Sequence, residues 1–295
     1  MQNNTTRQMK HDIKVYLVNA FTQNNSGGNP AGVVLFPPNL STKEKIFIAR
    51  EVGFSETAFV YSGEDTDFKV DFFTSEGEVD FCGHATLAVF FTLLSLNLVV
   101  PGQYKQKTKA GILNVIVSPD DIVMEQALPL RRIGPAIEDI AAALGIHHQV
   151  IASTGLPIEI ISTGLSDIIV PVPPGILDTL QPDHTAIADL SRKFDAIGFH
   201  VFELSNHADI TAHCRNFAPL YGINEESATG SASGALGCYL VNHISSSGSH
   251  FVLEQGRAMG CSSTIQVMIK GHAKVINQVS VGGQATLIGT KLINY

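Results

Sequence analysis

Two stretches of the chain are apolar on nearly every helical face. They read A-T-L-A-V-F-F-T-L-L-S-L over 85–96 and A-S-G-A-L-G-C-Y-L-V-N-H-I over 232–244. A helix without a polar face is surrounded by protein, so both predict buried helices. The first extends to an apolar stretch over 85–100 that Thr86, Thr92, Ser95 and Asn97 interrupt. It is shorter than the roughly 20 apolar residues of a membrane span, which argues against membrane insertion. Around the two helices, β-branched and aromatic runs predict strands at 13–21, 32–36, 57–61, 68–74 and 111–117, with turn residues such as N-N-S-G-G-N-P between them. The texture returns at 157–161, 167–172, 198–204, 250–254, 264–269 and 279–288. Amphipathic spacing predicts surface helices over 137–144 and 184–194.

The two buried helices lie about 148 residues apart, half of the 295-residue chain. A glycine and a polar residue stand before each: Gly83-His84 and Gly230-Ser231. Strands, then this pair, then a buried helix make a coarse internal repeat. The expected architecture is α+β, with two β-rich domains, each wrapped around a central helix. The division falls at 1–127 and 128–295, with the last strand free to return to the first domain. No low-complexity linker separates the halves, so close packing is expected.

Composition narrows the function. Charged residues make up 16% and hydrophobic residues 44%, which excludes global disorder. The net charge is −8 and the pI near 5.7, so the basic footprint of a nucleic-acid binder is absent. Four widely spaced cysteines form no C-x-x-C pair and no disulfide framework, which predicts a reducing, cytoplasmic setting. The first ten residues are polar, without the apolar core of a signal peptide. Neither G-x-S-x-G, H-E-x-x-H nor a Walker A sequence occurs, and His207 and His213 have no acidic residue at metal-ligand spacing. No metal and no cofactor are expected.

The chemistry concentrates at the helix starts. A helix N-terminus presents unpaired N–H groups and partial positive charge, and a glycine there lets an anion approach. If the halves face each other, Gly83, Gly230 and Ser231 converge on one cleft suited to a carboxylate. Glycines also begin tightly packed helices, and only the duplication favours function. Glu56, in G-F-S-E-T-A-F-V, is by itself an ordinary turn residue. Beside buried strands, a carboxylate also has its pKa raised and moves protons near neutrality. His84 alone would be a structural histidine, and Glu225-Glu226 an acidic first turn approaching a helix. Cys82 precedes a helix start, where a thiolate is favoured. A two-base racemase needs a second thiol in the other half, where Thr229 stands instead, so Cys82 is read as a small core residue.

These segments resemble the PhzF-like (phenazine biosynthesis F-type) isomerases of the diaminopimelate epimerase and proline racemase superfamily. The match runs through V-N-A-F-T and G-N-P-A-G-V-V within 18–34, S-E-T-A-F-V at 55–60, F-C-G-H-A-T-L-A at 81–88, R-N-F-A-P at 215–219 and A-T-G-S-A at 228–232. The resemblance implies a diaminopimelate epimerase-like fold of two similar domains, each a curved, barrel-like sheet around a helix. It implies Glu56, His84 and Ser231 at the site, a homodimer, and neither cofactor nor metal. The implied reaction is a proton shift on a small carboxylated metabolite, with Glu56 as single acid/base. The alternatives are a two-base amino-acid racemase or epimerase using Cys82, and a non-catalytic ligand-binding protein on the same scaffold. Three positions depart from the family pattern. Glu226 stands where an aspartate is expected, Cys261 where an arginine is common, and Ser75 where proline is usual. They bear on the substrate more than on the fold.

Overall fold

A computed structural model describes residues 12–245, 249–272 and 275–295. The polar first ten residues lie outside them. The first half runs β1 (Asp12–Thr22), β2 (Asn29–Leu35), α1 (Thr42–Val52), β3 (Glu56–Ser62), β4 (Phe68–Phe73), β5 (Glu78–Val79), α2 (Gly83–Ser95), β6 (Gly102–Thr108), β7 (Gly111–Val117) and β8 (Ile122–Gln126). The second runs β9 (Leu130–Ile133), α3 (Ile137–Ala143), α4 (His148–Ala152), β10 (Glu159–Ser162), β11 (Ser166–Pro171), α5 (His184–Phe194), β12 (Phe199–Leu204), β13 (Ala212–Ala218), β14 (Ile223–Glu226), α6 (Gly230–His243), β15 (Ser249–Gln255), β16 (Ser263–His272) and β17 (Val275–Asn294).

Strand pairing closes a ring around α2. It passes β1, β2, β3, β4, β6, β7, β8 and β17, and β17 pairs with β1 from Asp12↔Asn294 onward. Inside it, Leu87, Val89, Phe90 and Leu93 are fully buried. Each such side chain contributes roughly 1.5–3 kcal/mol by leaving water. The second half curls β10, β11, β12, β13, β15, β16 and β17 around α6. The Ala127 amide donates to the Thr163 carbonyl at 3.1 Å, joining the end of β10 to the chain just past β8. The fold is the expected α+β class with a barrel-like sheet around each helix.

Two glycines of α6 serve this packing. A Cβ on Gly237 would meet the Val267 side chain at 2.5 Å, and one on Gly234 would meet the Gln126 carboxamide at 1.9 Å. Glycine costs about 0.5–1 kcal/mol in a helix interior, and here it lets the helix sit close on the sheet.

Both buried helices begin two residues before the apolar run. Cys82 and Thr229 are the N-cap residues, so Gly83-His84 and Gly230-Ser231 form the first turns instead of preceding them. Helix α1 and strands β6, β8, β9 and β13 were not evident from the hydrophobic pattern. In β6 the inward positions are polar: Gln106 is buried and donates to Thr86 of α2 at 3.0 Å. In β13 every residue is buried, including His213, Arg215 and Asn216, which breaks any simple alternation.

Arg215 is 8% exposed and grips Glu225 with two hydrogen bonds of 2.8 Å, while also donating to the carbonyls of Leu177 and Leu180. Glu225 and Glu226 are therefore the end of strand β14, not an acidic helix turn. Removing the arginine strands Glu225 and two carbonyls. Arg215→Met is expected to lower unfolding free energy by about 3 kcal/mol. An unchanged urea midpoint would refute that anchoring role.

Candidate active site

Glu56 opens β3, just after the left-handed Gly53 cap of α1 (φ 81). Strand β3 lies parallel to β2 with Ala31 opposite Glu56. Asn29, the first residue of β2, therefore sits on the same edge. His84 is the second residue of α2 and is 5% exposed. Its Nε2 lies 3.2 Å from Glu56 Oε2 and 3.4 Å from Ser55 Oγ. Its Nδ1 lies 3.4 Å from Cys82 Sγ and 4.0 Å from Glu226 Oε1. Thus Glu56, His84 and Glu226, distant in sequence, form one chain of contacts across the two halves.

Asn29 is the bridge. Its amide donates to Glu226 Oε1 at 2.9 Å and to the Ala228 carbonyl at 3.0 Å. With both hydrogens so used, its 3.3 Å approach to His84 Nδ1 is a contact, not a third donation. Ser227 Oγ donates to the Gly28 carbonyl at 3.0 Å, and Cys261 Sγ reaches the same oxygen at 3.2 Å. Ser227, in the turn before α6, and Cys261, between β15 and β16, thus both tie the second half to one carbonyl of the first. Gly28 is itself required, because its φ is +88 and a Cβ would meet the Ala20 carbonyl at 2.6 Å.

Electrostatics sets the protonation. Burial pushes the Glu56 carboxyl upward, but the His84 hydrogen-bonding and charge interactions, with Ser55 and Cys82, outweigh it and hold it below its ordinary value. This corrects the expectation of a raised pKa. Burial alone would lower His84; contacts with Cys82 and Glu56 raise it well above 6.5. Burial pushes the Cys82 thiol upward, so near neutrality it is a neutral thiol, and the hydrogen bond and charge of Glu56 are then the carboxylate's share in raising His84. Cys82 is thus a buried core thiol and not a thiolate. Glu226 is raised by burial, against the lowering influence of His84, Thr229 and Asn29.

Glu56 Oε2 is buried, and its ion pair with His84 Nε2 at 3.2 Å is off the line of a well-aligned hydrogen bond. A carboxylate oxygen held ionised with a free lone pair has the requirements of a base. The imidazolium beside it is a donor for developing negative charge. Glu56, Cys82 and His84 also offer metal-donor atoms within 4.8 Å of one another. A metal ion held there would displace the protons of Cys82 and His84.

The helix starts differ from the surface helices. Helix α1 has a Ser41–Glu44 capping box and α5 an Asp183 cap, while α2 and α6 have neither a side-chain cap bond nor an acidic first turn. A Cβ on Gly83 would meet only Phe81 at 4.0 Å, and one on Gly230 would meet Phe21 at 3.4 Å. Protein packing therefore does not demand glycine at either start, and neither has a positive φ. Ser231 lies in the first turn of α6, and its carbonyl accepts from Thr163 at 3.1 Å. Thr229 Oγ1 donates to Glu226 at 2.7 Å and lies 3.0 Å from the Gln255 amide. The residue in the second-thiol position is thus occupied in holding Glu226.

Asn29, Ser55 and Gln255 were missed as site residues. The G-N-P-A-G segment was visible, but its asparagine acquires a role only when β2 meets the turn before α6. His213 also has an acidic partner that spacing hid: Glu254, 2.5 Å away on the paired strand β15.

The fold is that of the epimerase-like isomerases. The family model for phenazine biosynthesis-like proteins (PhzC-PhzF) matches residues 18–290. The chain is 35% identical to an uncharacterized isomerase of Clostridium acetobutylicum over 95% of this chain and 97% of the relative. A Bacillus anthracis phenazine biosynthesis protein of the PhzF family superposes with a TM-score of 0.89 at 27% identity, covering 96% of this chain and 99% of that one. A hydroxyproline epimerase from Agrobacterium vitis shares the fold at 12% identity, with a TM-score of 0.62 over 96% of this chain and 91% of that one. The chain belongs to the phenazine biosynthesis-like family and, with its relatives, is an isomerase on a diaminopimelate epimerase-like fold. That leaves the non-catalytic reading without support. No helix among the described residues is long and apolar enough to cross a membrane.

Proposed function

We propose that this isomerase moves a proton on a small carboxylated metabolite, without a cofactor, using Glu56 as its single acid/base. The observation that carries the reading is the buried Glu56 Oε2 ion-paired with His84 Nε2 at 3.2 Å, with Glu226 4.0 Å from the other ring nitrogen. The Glu56 carboxylate takes an acidic C–H proton, and the electron pair delocalises toward the unsaturated or carboxylate end. The carboxyl then returns the proton to another carbon on the same face. His84 keeps Glu56 ionised before the transfer and stabilises negative charge during it. Amides at Gly83, Gly230 and Ser231 hold the substrate carboxylate. Glu226 keeps the charge of the expected aspartate with one more methylene and is fixed by Asn29 and Thr229. A cytoplasmic homodimer completes the reading, carried by family resemblance and by the unpaired cysteines.

The two-base alternative needs Cys82 as a thiolate and a partner base. The raised thiol and the engaged Thr229 both weigh against it. The test is a screen of unsaturated and amino carboxylic acids in D₂O, read by mass spectrometry. Deuterium should enter at one C–H position of an isomerised compound. A panel without any exchange would contradict the reading. Cys82→Ser should retain exchange within a few-fold. Its complete loss in that variant would restore the two-base mechanism.

A further inference from the structure

The hydrogen bonds around Glu226 run in one direction. Its Oε1 accepts from the Asn29 amide at 2.9 Å and its Oε2 from the Thr229 hydroxyl at 2.7 Å. A carboxylate accepts through both oxygens, whereas a carboxylic acid must donate from one of them. A hydroxyl can turn and do either. Thr229 would therefore serve a protonated Glu226 equally well unless something fixes its hydrogen.

Gln255 fixes it. This fully buried residue ends β15, opposite Cys214 of β13 and Ser263 of β16. The next residue, Gly256, has φ +86, and a Cβ on it would meet the Ser227 carbonyl at 2.8 Å, so the end of β15 lies directly on the turn after Glu226. The Gln255 amide cannot be turned over. Its oxygen accepts from the Thr229 backbone N–H at 3.2 Å, a group that only donates. Its nitrogen donates to the Glu226 backbone carbonyl at 2.7 Å, a group that only accepts. The second amide hydrogen meets Thr229 Oγ1 at 3.0 Å, so the hydroxyl accepts there and its own hydrogen goes to Glu226 Oε2. Asn29 is held in the same way: its donation to the Ala228 carbonyl turns the NH₂ group, and hence its other hydrogen, toward Oε1. Backbone groups thus dictate a donor at each oxygen of the carboxyl. Burial favours the acid form of Glu226, and the charge of His84 and the bonds from Thr229 and Asn29 oppose it. Of the other carboxyl groups nearby, the charge of Glu56 acts in the same sense as burial, and Asp167 is itself pushed up to about 8 by its own burial and by Glu226.

We propose that Gln255 is a positioning residue of this site: acting through the Thr229 hydroxyl, it holds Glu226 as an anion facing His84 Nδ1. Gln255 hydrogen-bonds Glu226 only at the backbone carbonyl, so its influence on the carboxyl passes through Thr229. The relay leaves Glu226 a fixed negative charge beside the imidazolium, with no acceptor to receive a proton from it. The inference rests on the proposed site for the use of Glu226 and adds the residue that orients it.

The test is a carboxyl ¹³C NMR titration of the full chain with labelled glutamate and no substrate, the Glu226 signal being the one missing from Glu226→Gln. Thr229→Val should move the Glu226 midpoint up by about 1 to 2 pH units, the loss of one hydrogen bond to a charged group, while Thr229→Ser should titrate with the wild type. Gln255→Met should move it up by about 0.5 to 1 unit, because the freed hydroxyl can then accept from the acid form. In the double variant, Gln255→Met should add nothing to Thr229→Val, since its effect runs through that hydroxyl. A residue that only supports the fold would lower the urea midpoint without moving this titration. An unmoved midpoint in Thr229→Val or Gln255→Met, or additive shifts in the double variant, would overturn the assignment. If Gln255→Met does not fold, the wild type carries the test: a side-chain N–H signal of Gln255 should shift with the Glu226 midpoint, and a flat response would overturn the relay. The titration needs no turnover, so its failure would leave the Glu56 mechanism standing, and failure of the D₂O screen would leave the Gln255 relay standing.

Discussion

Glu56→Gln should lower turnover by about 10²- to 10⁴-fold, the range that a positioned general acid/base supplies. The substitution keeps the shape of the side chain and removes only its ability to take a proton. Glu56 begins a strand whose next four residues, Thr57 to Val60, are buried, and its own side chain is 15% exposed. The fold should survive because the backbone pairing to β2 and β4 does not involve the carboxyl. Binding of a carboxylated compound should persist, since the helix starts are untouched. The expected result is therefore a fall in kcat with little change in KM. Unchanged turnover on an isomerised substrate would remove Glu56 from the mechanism.

His84→Asn should cost about as much at neutral pH, for a different reason. Burial raises Glu56, and His84 supplies the leading opposing interactions. Without the imidazolium, the carboxyl climbs and is protonated over more of the working range, so it loses its base function. The wild-type profile of kcat/KM should be bell-shaped. Its acid limb falls where Glu56 protonates, below that group's ordinary value, and its alkaline limb where His84 loses its proton, well above 6.5. In His84→Asn the acid limb should move to higher pH. Stability follows the same signs. The lowered Glu56 contributes above its unfolded-state pKa and loses that contribution as pH falls through the folded value. The raised His84 contributes below 6.5 and loses it as pH rises through its higher folded value. An acid limb that stays in place would show that His84 does not set the charge of Glu56.

The two buried helices were legible because apolar residues around a whole circumference leave no other environment. Their first turns were legible only as a duplicated Gly-polar pair. The bounds shifted because Cys82 and Thr229 begin the helices without side-chain caps, so no capping signature marks the start. Helix α1 did carry one, the S-T-K-E capping box ahead of Gly53, and its low hydrophobicity obscured it. Strand β13 was hidden because Arg215, His213 and Asn216 are buried with partners far away in sequence.

Glu56, His84 and Glu226 could be named from the family motifs, but their protonation could not. The direction for Glu56 reversed because a neighbouring cation outweighs desolvation, and that neighbour is 28 residues further along the chain. Asn29 was invisible as a site residue for the same reason. It lies in an ordinary strand run and acquires meaning only from the turn beside it.

The most direct test of a single carboxyl base follows the label itself. A substrate deuterated at the reacting C–H is converted in H₂O, and the product is analysed for deuterium at its new position. A single-proton carboxyl working on one face should carry part of the label across, in the wild type and equally in Cys82→Ser. Complete loss of label to solvent in the wild type, with activity abolished in Cys82→Ser, would contradict the account.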